Sequence, residues 1–455
     1  MTSVVTSVTV PRRLYQTLAV MAAWAVLAVP AGRAAAAATD VSLLDLVETE
    51  FGYTTIVDQY QHPVSPQRLL DGARVGLVAY LRSRGIADPR VGMIHARADG
   101  RGAVPAIEQQ IGLAIERYGA RVDALALVYA AIGGEVAALH DPYSVFFTAA
   151  EVKGFSAAID GTAFGGIGIQ LAFDDAHKQW LAETVFEGSP AAKAGVLAGD
   201  VLAAVDGTNL TGLDNARVQG LIRGTIGTVA QLSIARNGAP LAAPLAVTRA
   251  AITPPDVTER LLPDGAGYVA LRSFSLDAGT KVRDALLRLA KAGARAYVFD
   301  LRGDGGGYES AAVHVASAFI PAGPIVANEG RDGQRRVSAA DGNAVPTLPL
   351  AVLVDHDSAS GAELVAGAIQ DRHAGTLIGT RTFGKGVAQT MFALPDGSAI
   401  KLTTARYYTA GGRFIDKVGL EPDIAVEEPA GSQVGVPGHD PQLDRALALL
   451  VPGSV

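Results

Sequence analysis

Apolar and polar residues alternate along this chain in two rhythms, and the rhythm changes twice. Residues 40–152 carry apolar positions at helical spacing between polar turns, as in "SPQRLLDGARVGLVAYLRSRG" and "DALALVYAAIGGEVAAL", which predicts an all-helical region. Between about 155 and 250 the pattern shortens to alternating strands broken by glycine turns, "GGIGIQLAF" and "AQLSIARNGAPL" among them, with one helical run, "NARVQGLIRG". From about 265 strand and helix patterns take turns: "GYVALRSF", "AGTKVRDALLRLAKAGA", "RAYVFDLRGDGGG", "YESAAVHVASAFI", "PLAVLVD", "GAELVAGAIQD". That order predicts a mostly parallel sheet with covering helices. "GVAQTMFAL" and "SAIKLTTARYYT" then read as antiparallel strands joined at "PDG", and "DPQLDRALALLV" as a closing helix. The expected divisions are 1–39, 40–152, 153–252, 253–430 and 431–455.

The first division is a leader. Arg12-Arg13 precede an uninterrupted apolar run, Leu18 to Val29, closed by Pro30 and followed by "AGRAAAAATD" with its small residues. This is the three-part plan of a secretory signal peptide, and the run is short for a membrane span. Cleavage near residues 35–39 is expected, with membrane association only if the leader is retained. The 455 residues contain no cysteine, so disulfides, thiol nucleophiles and Cys-type metal sites are excluded, and export without disulfides suits a bacterial periplasm. The formal charge of −7 becomes −10 once the leader, with three arginines and no acid, is set aside. An acidic chain with no long basic run argues against nucleic acid as a partner. At 49% hydrophobic and 18% charged, it has ample apolar surface to fold.

Candidate chemistry gathers in "DHDSASGAELVAGAIQD" (355–371), where a buried-strand pattern runs through a turn into a helix. Ser360 lies at the start of that helix. The turn is either an ordinary cap, made through Asp357 or Ser358, or the seat of a nucleophile. A serine hydroxyl needs a base within reach. His373 cannot be that base, since a helix over 361–372 sets it about 18–20 Å along the axis from Ser360 at ~1.5 Å per residue. No Ser-His-Asp triad assembles from the other histidines, although one is not excluded. "RTFGKGVAQT" offers Lys385 between two glycines at the mouth of a strand. To act as base it must be neutral, a shift from about 10.4 toward ~7–8 that costs on the order of 4 kcal/mol and calls for apolar walls, for which Phe383 and Val387 are candidates. Strand alternation puts Gln389 on the same side, able to orient the lysine without adding charge. The glycine turn of "FDLRGDGGG", together with the Gly361 N–H, can supply an oxyanion hole.

Other segments carry a resemblance. "SPAAKAGVLAGDVLAAVDG" resembles the central signature of PDZ domains, and "FGGIGI" their carboxylate-binding loop, here Phe164, Gly165, Gly166, Ile167 and Gly168. In that fold a peptide adds as a strand to a sheet edge while loop N–H groups hold its terminal carboxylate. Taken in order, "FGGIGI", "LIRGTIGT", "DLRGDGGG", "SASGAE", "RTFGKGVAQT" and "ARYYTAGGR" are similar to the C-terminal processing peptidases, tail-specific serine proteases with a Ser-Lys dyad. The resemblance covers roughly 315 residues, and the helical region matches only loosely. It implies a multidomain α/β fold: a ClpP/crotonase-like protease core, an inserted small β-rich PDZ domain, an N-terminal helical region and a C-terminal helical tail on the core.

The same resemblance assigns Ser360 as nucleophile, Lys385 as base, Gln389 to positioning the lysine, and Gly306 with Gly361 to the oxyanion hole, Gly307 being the alternative. Asp371 would be structural. Ala362 stands where the family has a third serine, and Gly303-Asp304 where Asn-Asn is common. An exported serine endopeptidase follows, without metal or cofactor, acting on protein or peptide substrates with free C-terminal tails. A lipoprotein or adaptor activator and a homo-oligomer are left open. The competing readings are a non-catalytic tail-binding adaptor on the same fold and a Ser-His hydrolase.

Overall fold

The computed structural model describes residues 43–451 apart from 160–163, 175–176, 187, 214, 253–254, 430–431 and 433. The expected leader lies outside these residues. No helix among those described is long and apolar enough to cross a membrane. The chain divides into two compact units, one holding residues up to 154 with 330–334 and 388–405, the other holding 155–329, 335–387 and 406 onward.

The first unit is helical, as the pattern predicts: α1 (Leu43–Gln59), α2 (Pro66–Ser83), α3 (Ala103–Tyr118) and α4 (Ala124–Ala137). Ser65 starts α2, its Oγ accepting the Arg68 N–H at 3.3 Å with Pro66 in the first turn, and Asp123 starts α4 by accepting from the Ala126 N–H at 2.9 Å. Two glycines let α2 and α4 approach closely. A Cβ on Gly72 would stand 2.4 Å from the Gly134 carbonyl oxygen, and one on Gly76 1.9 Å from that of Ala130. The core holds Leu69, Leu77, Ile107, Leu127 and Ile132, and Leu394, Ile400 and Leu402 of the 388–405 segment are buried in the same cluster. That segment is tied to the helices by the Asp396 N–H donating to Glu48 Oε1 at 2.8 Å and by the Tyr129 hydroxyl on the Asp396 carboxylate. Strand β1 (Val145–Phe147) pairs antiparallel with residues 399–401, and helix α5 (Ala149–Ile159) follows it.

In the second unit, β2 (Phe164–Gly166), β3 (Ile169–Asp174), β4 (Gln179–Val185), α6 (Pro190–Lys193), β5 (Val201–Val205), β6 (Thr208–Asn209), α7 (Asn215–Ile222), β7 (Val229–Arg236), β8 (Ala239–Pro240), β9 (Leu245–Thr248) and β10 (Ala250–Ile252) form a small β-rich body. Its main sheet runs β3-β4-β5-β7-β8, so β3 is an edge strand, and β2 pairs separately with β10. Ile167, Trp180, Leu202, Val218 and Leu232 fill its core.

The α/β part follows the predicted order. Strands β11 (Val257–Leu261), β12 (Ala266–Leu271), β13 (Ala296–Asp300), β16 (Leu350–Val354), β17 (Thr376–Gly379) and β20 (Ile424–Ala425) lie in that order, parallel from β12 onward. Between β13 and β16 the chain makes the antiparallel pair β14 (Pro324–Gly330) and β15 (Arg335–Ala339). Every residue of β12, β13 and β16 is buried, which explains their near-continuous apolar runs. Helices α8 (Ala278–Lys291), α9 (Glu309–Phe319), α10 (Gly361–Asp371) and α11 (Pro441–Leu450) connect or cover the strands, and Leu443, Ala446 and Leu447 of α11 pack on Tyr268, Val298 and Leu353. Strands β18 (Val387–Ala393) and β19 (Ala399–Thr409) form the "PDG" hairpin. Because β13 and β16 are adjacent and parallel, with Asp300 opposite Leu353, the glycine turn and the serine turn leave the same end of the sheet side by side. In open α/β sheets that carboxyl end is where sites form.

Candidate active site

Ser360 is the N-cap residue of α10, only 6% exposed, with φ 53° and ψ −112°. The left-handed region is costly for a side chain with a Cβ, so neighbours must hold it there. The expectation that Asp357 or Ser358 caps the helix is corrected: the cap position is Ser360, whose own N–H donates to Glu363 Oε2 at 2.9 Å. Ser358 is fully buried and braces the turn instead, its Oγ donating to the Leu301 carbonyl at 2.8 Å. Asp355 braces it from below, accepting from the N–H groups of Gly303, Asp357 and Ser358 at 3.0, 3.0 and 2.9 Å.

Glu363 is the hub of the site. Its carboxylate is completely buried and takes four donors. Oε2 accepts the N–H of Ser360 and of Lys385, both at 2.9 Å, while Oε1 accepts the N–H of Gly384 at 2.7 Å and the Thr382 hydroxyl at 2.6 Å. One oxygen therefore holds the backbone of the serine and of the lysine together. The Phe383 N–H adds a bond to the Ser358 carbonyl at 3.1 Å. A glutamate three residues after a cap serine was the available signal. That it would bind a loop 21 or 22 residues onward was not legible.

Lys385 is half-buried. Of its two expected walls, Val387 is half-buried but Phe383 is 54% exposed, so Phe383 does not enclose the lysine. Gln389, on β18, lies in the helical unit, where its Nε2 donates to Thr403 Oγ1 at 3.4 Å. His373 sits exposed past the far end of α10, in accord with its exclusion. Asp371 is structural in the way expected, accepting the Gly411 N–H at 2.6 Å and pairing with Arg413 at 2.7 Å.

The glycine turn packs directly on the serine turn. Gly306 has φ 94°, and a Cβ there would stand 2.7 Å from the Gly361 nitrogen and 2.8 Å from Ser360 Cβ. The Gly306 N–H, expected to face an oxyanion, is instead donated to Asp304 Oδ1 at 2.8 Å. Neither the Gly307 nor the Gly361 N–H has an acceptor among the described residues. Behind the turn, Arg302 is buried and pairs with Asp300 at 2.8 Å and Asp440 at 2.7 Å, tying the turn to the C-terminal helix.

In the β-rich body, Phe164, Gly165 and Gly166 form β2, paired with Ile252, Ala251 and Ala250. Ile167 is buried in that body's core, and Gly168 turns the chain at φ 80° toward the edge strand β3. A groove of about 910 Å³ lined by Arg68, Gly72, Gly76, Ala130 and Gly134 lies within the helical unit, and none of the catalytic candidates lines it.

Comparison with known proteins decides what this site belongs to. Residues 265–426 match the model of peptidase family S41, and 182–236 that of the PDZ domain. The chain is 35% identical over 322 residues to the chloroplastic C-terminal processing peptidase of Tetradesmus obliquus, covering 67% of this chain and 69% of that one. It is 33% identical over 330 residues to the carboxyl-terminal-processing protease of Synechocystis sp., covering 71% and 77%. The chain belongs to peptidase family S41. A solved S41 protease of Bacteroides fragilis has the same fold, with a TM-score of 0.51 at 19% identity over 68% of this chain and 86% of that one. Membership of family S41 makes the chain a serine-type peptidase, with a PDZ domain inserted ahead of the S41 core.

Proposed function

We propose that this chain is an exported endopeptidase that captures C-terminal tails through its PDZ domain and cleaves them with a Ser360–Lys385 dyad. The observation that carries the reading is the Glu363 carboxylate, one oxygen of which binds the backbone N–H of both residues. In this reading Ser360 Oγ attacks the scissile carbonyl carbon and its proton passes to Lys385 Nζ. The tetrahedral oxyanion is met by the Gly361 N–H and, since the Gly306 N–H is taken by Asp304, by the Gly307 N–H. Collapse expels the amine, which receives the proton from Lys385, and water then hydrolyses the acyl-enzyme. The tail pairs with the open edge of β3, and the turn through Gly166, Ile167 and Gly168 holds its carboxylate. The names of the relatives support C-terminal processing, and the leader pattern supports a periplasmic location.

The test is cleavage of a tail-bearing substrate by Ser360→Ala and Lys385→Ala. Each is expected to lose at least about 10³-fold in kcat, and full activity in either would end the dyad reading. A fluorophosphonate that labels Ser360 in the unmodified protein excludes a non-catalytic adaptor. N-terminal sequencing of the periplasmic protein is expected to begin near residue 40.

A further inference from the structure

We propose that Asp304 is a positioning residue of the peptidase reaction, bracing the oxyanion turn against the nucleophile turn as a neutral carboxylic acid. The proposal rests on the Ser360–Lys385 reading. The side chain of Asp304 is completely buried one residue before the last three glycines of the turn. Oδ1 accepts the Gly306 N–H at 2.8 Å, and the residue's backbone carbonyl accepts the Ala359 N–H at 2.9 Å, next to Ser360. One residue thus fixes the glycine turn to itself and to the serine turn. Oδ2 is buried and has no hydrogen-bond partner among the described residues.

Among the described residues no cation pairs with this carboxyl. Arg272, the base that acts on it, gives one nitrogen to the Arg302 carbonyl at 2.5 Å and holds another 3.8 Å from Asp300. Arg302 is committed to Asp300 and Asp440. Asp256, engaged with Lys281, adds repulsion. On the serine turn, Asp355 is occupied by backbone N–H groups, and Glu363 is occupied by its four donors. An ionised carboxylate buried without a partner is costly, whereas the neutral acid keeps the same acceptor at little cost. Burial accordingly pushes Asp304 up to about 8.

The consequence is a turn that works below that pH and fails above it. Ionisation places a negative charge on the loop that must face a developing oxyanion, and like charge opposes the transition state. An asparagine at this position would accept the same N–H and never titrate. The aspartate makes this chain's turn sensitive to alkali.

The experiment compares pH profiles of kcat for the unmodified enzyme, Asp304→Asn and Asp304→Ala, with Ser360→Ala as control, alongside thermal unfolding across the same pH range. In the unmodified enzyme kcat is expected to fall above pH 8 by up to about tenfold per unit. Asp304→Ala loses at least about tenfold at every pH, with little change in KM. Asp304→Asn recovers kcat relative to Asp304→Ala and shows no alkaline fall. Its Tm exceeds that of the unmodified protein at pH 8, and the gap closes toward pH 4. The sign follows from a folded pKa raised above the unfolded ~3.9: the neutral form's advantage is complete below that value and is lost as pH rises to about 8. An alkaline fall that persists in Asp304→Asn, equal Tm values at pH 8, or unaltered kcat in Asp304→Ala overturns the proposal. A Ser360→Ala enzyme that still cleaves overturns the dyad instead, and the thermal comparison still decides the protonation state.

Discussion

Ser360 is held at φ 53° by its N–H bond to Glu363 of its own helix, whose carboxylate is in turn fixed by three donors from the 382–385 loop, and that strain is worth about 1–3 kcal/mol. Four donors on one buried carboxylate oppose it, each charge-assisted bond contributing roughly 1.5–3 kcal/mol. Replacing Glu363 by alanine is therefore expected to reduce kcat by at least about 10²-fold and to lower stability by about 3–5 kcal/mol, as read by steady-state kinetics and urea unfolding. Glu363→Gln keeps the shape but exchanges two acceptor oxygens for one, and should fall between the two. Gly306→Ala tests the opposite side of the serine turn. Its Cβ would meet the Gly361 nitrogen and Ser360 Cβ inside 3 Å at a left-handed φ, so it should cost about 2–4 kcal/mol and most of kcat. These contacts were hidden in the sequence for a physical reason. A cap serine and a glutamate are local signals, but the partners they find are set by the tertiary approach of two turns.

At the level of elements, the parallel core was readable because β12, β13 and β16 are buried on both faces and so appear as unbroken apolar runs. The side-by-side exit of the glycine and serine turns depends on β13 pairing with β16, and no spacing in the chain encodes that order. The Arg302 network was equally silent, since Asp440 lies 138 residues onward. Burial alone would raise Asp300 and Asp440, but the Arg302 guanidinium outweighs it and holds both below the usual carboxylate range. Lowered folded pKa values contribute stability that is present above about 4, the unfolded value, and lost as pH falls through the folded ones. Arg302→Met takes from two buried carboxylates the cation that pairs with both and should cost about 3–5 kcal/mol at pH 7, with the deficit shrinking on acidification, as followed by urea titrations from pH 7 to 3. In the β-rich body, Gly168→Val would drive a Cβ to within 2.4 Å of Ser189 Cβ at φ 80°. Tail binding measured by calorimetry should weaken by at least about tenfold.

For the whole chain, the division into units was the least legible feature. The pattern places the "PDG" hairpin with the protease sheet, yet residues 388–405 bury Leu394, Ile400 and Leu402 among the helices. Periodicity shows that these residues need cover but does not say whose. A truncated chain beginning at residue 153 would strip that cover away and should be recovered mainly as aggregate, with any soluble fraction binding a hydrophobic dye. Lys385 stands three residues before the hairpin segment, so the strand that follows the proposed base is completed only on helices made far earlier in the chain. The order of folding follows: during synthesis the strand after Lys385 has no settled home until the helices of the first unit have folded.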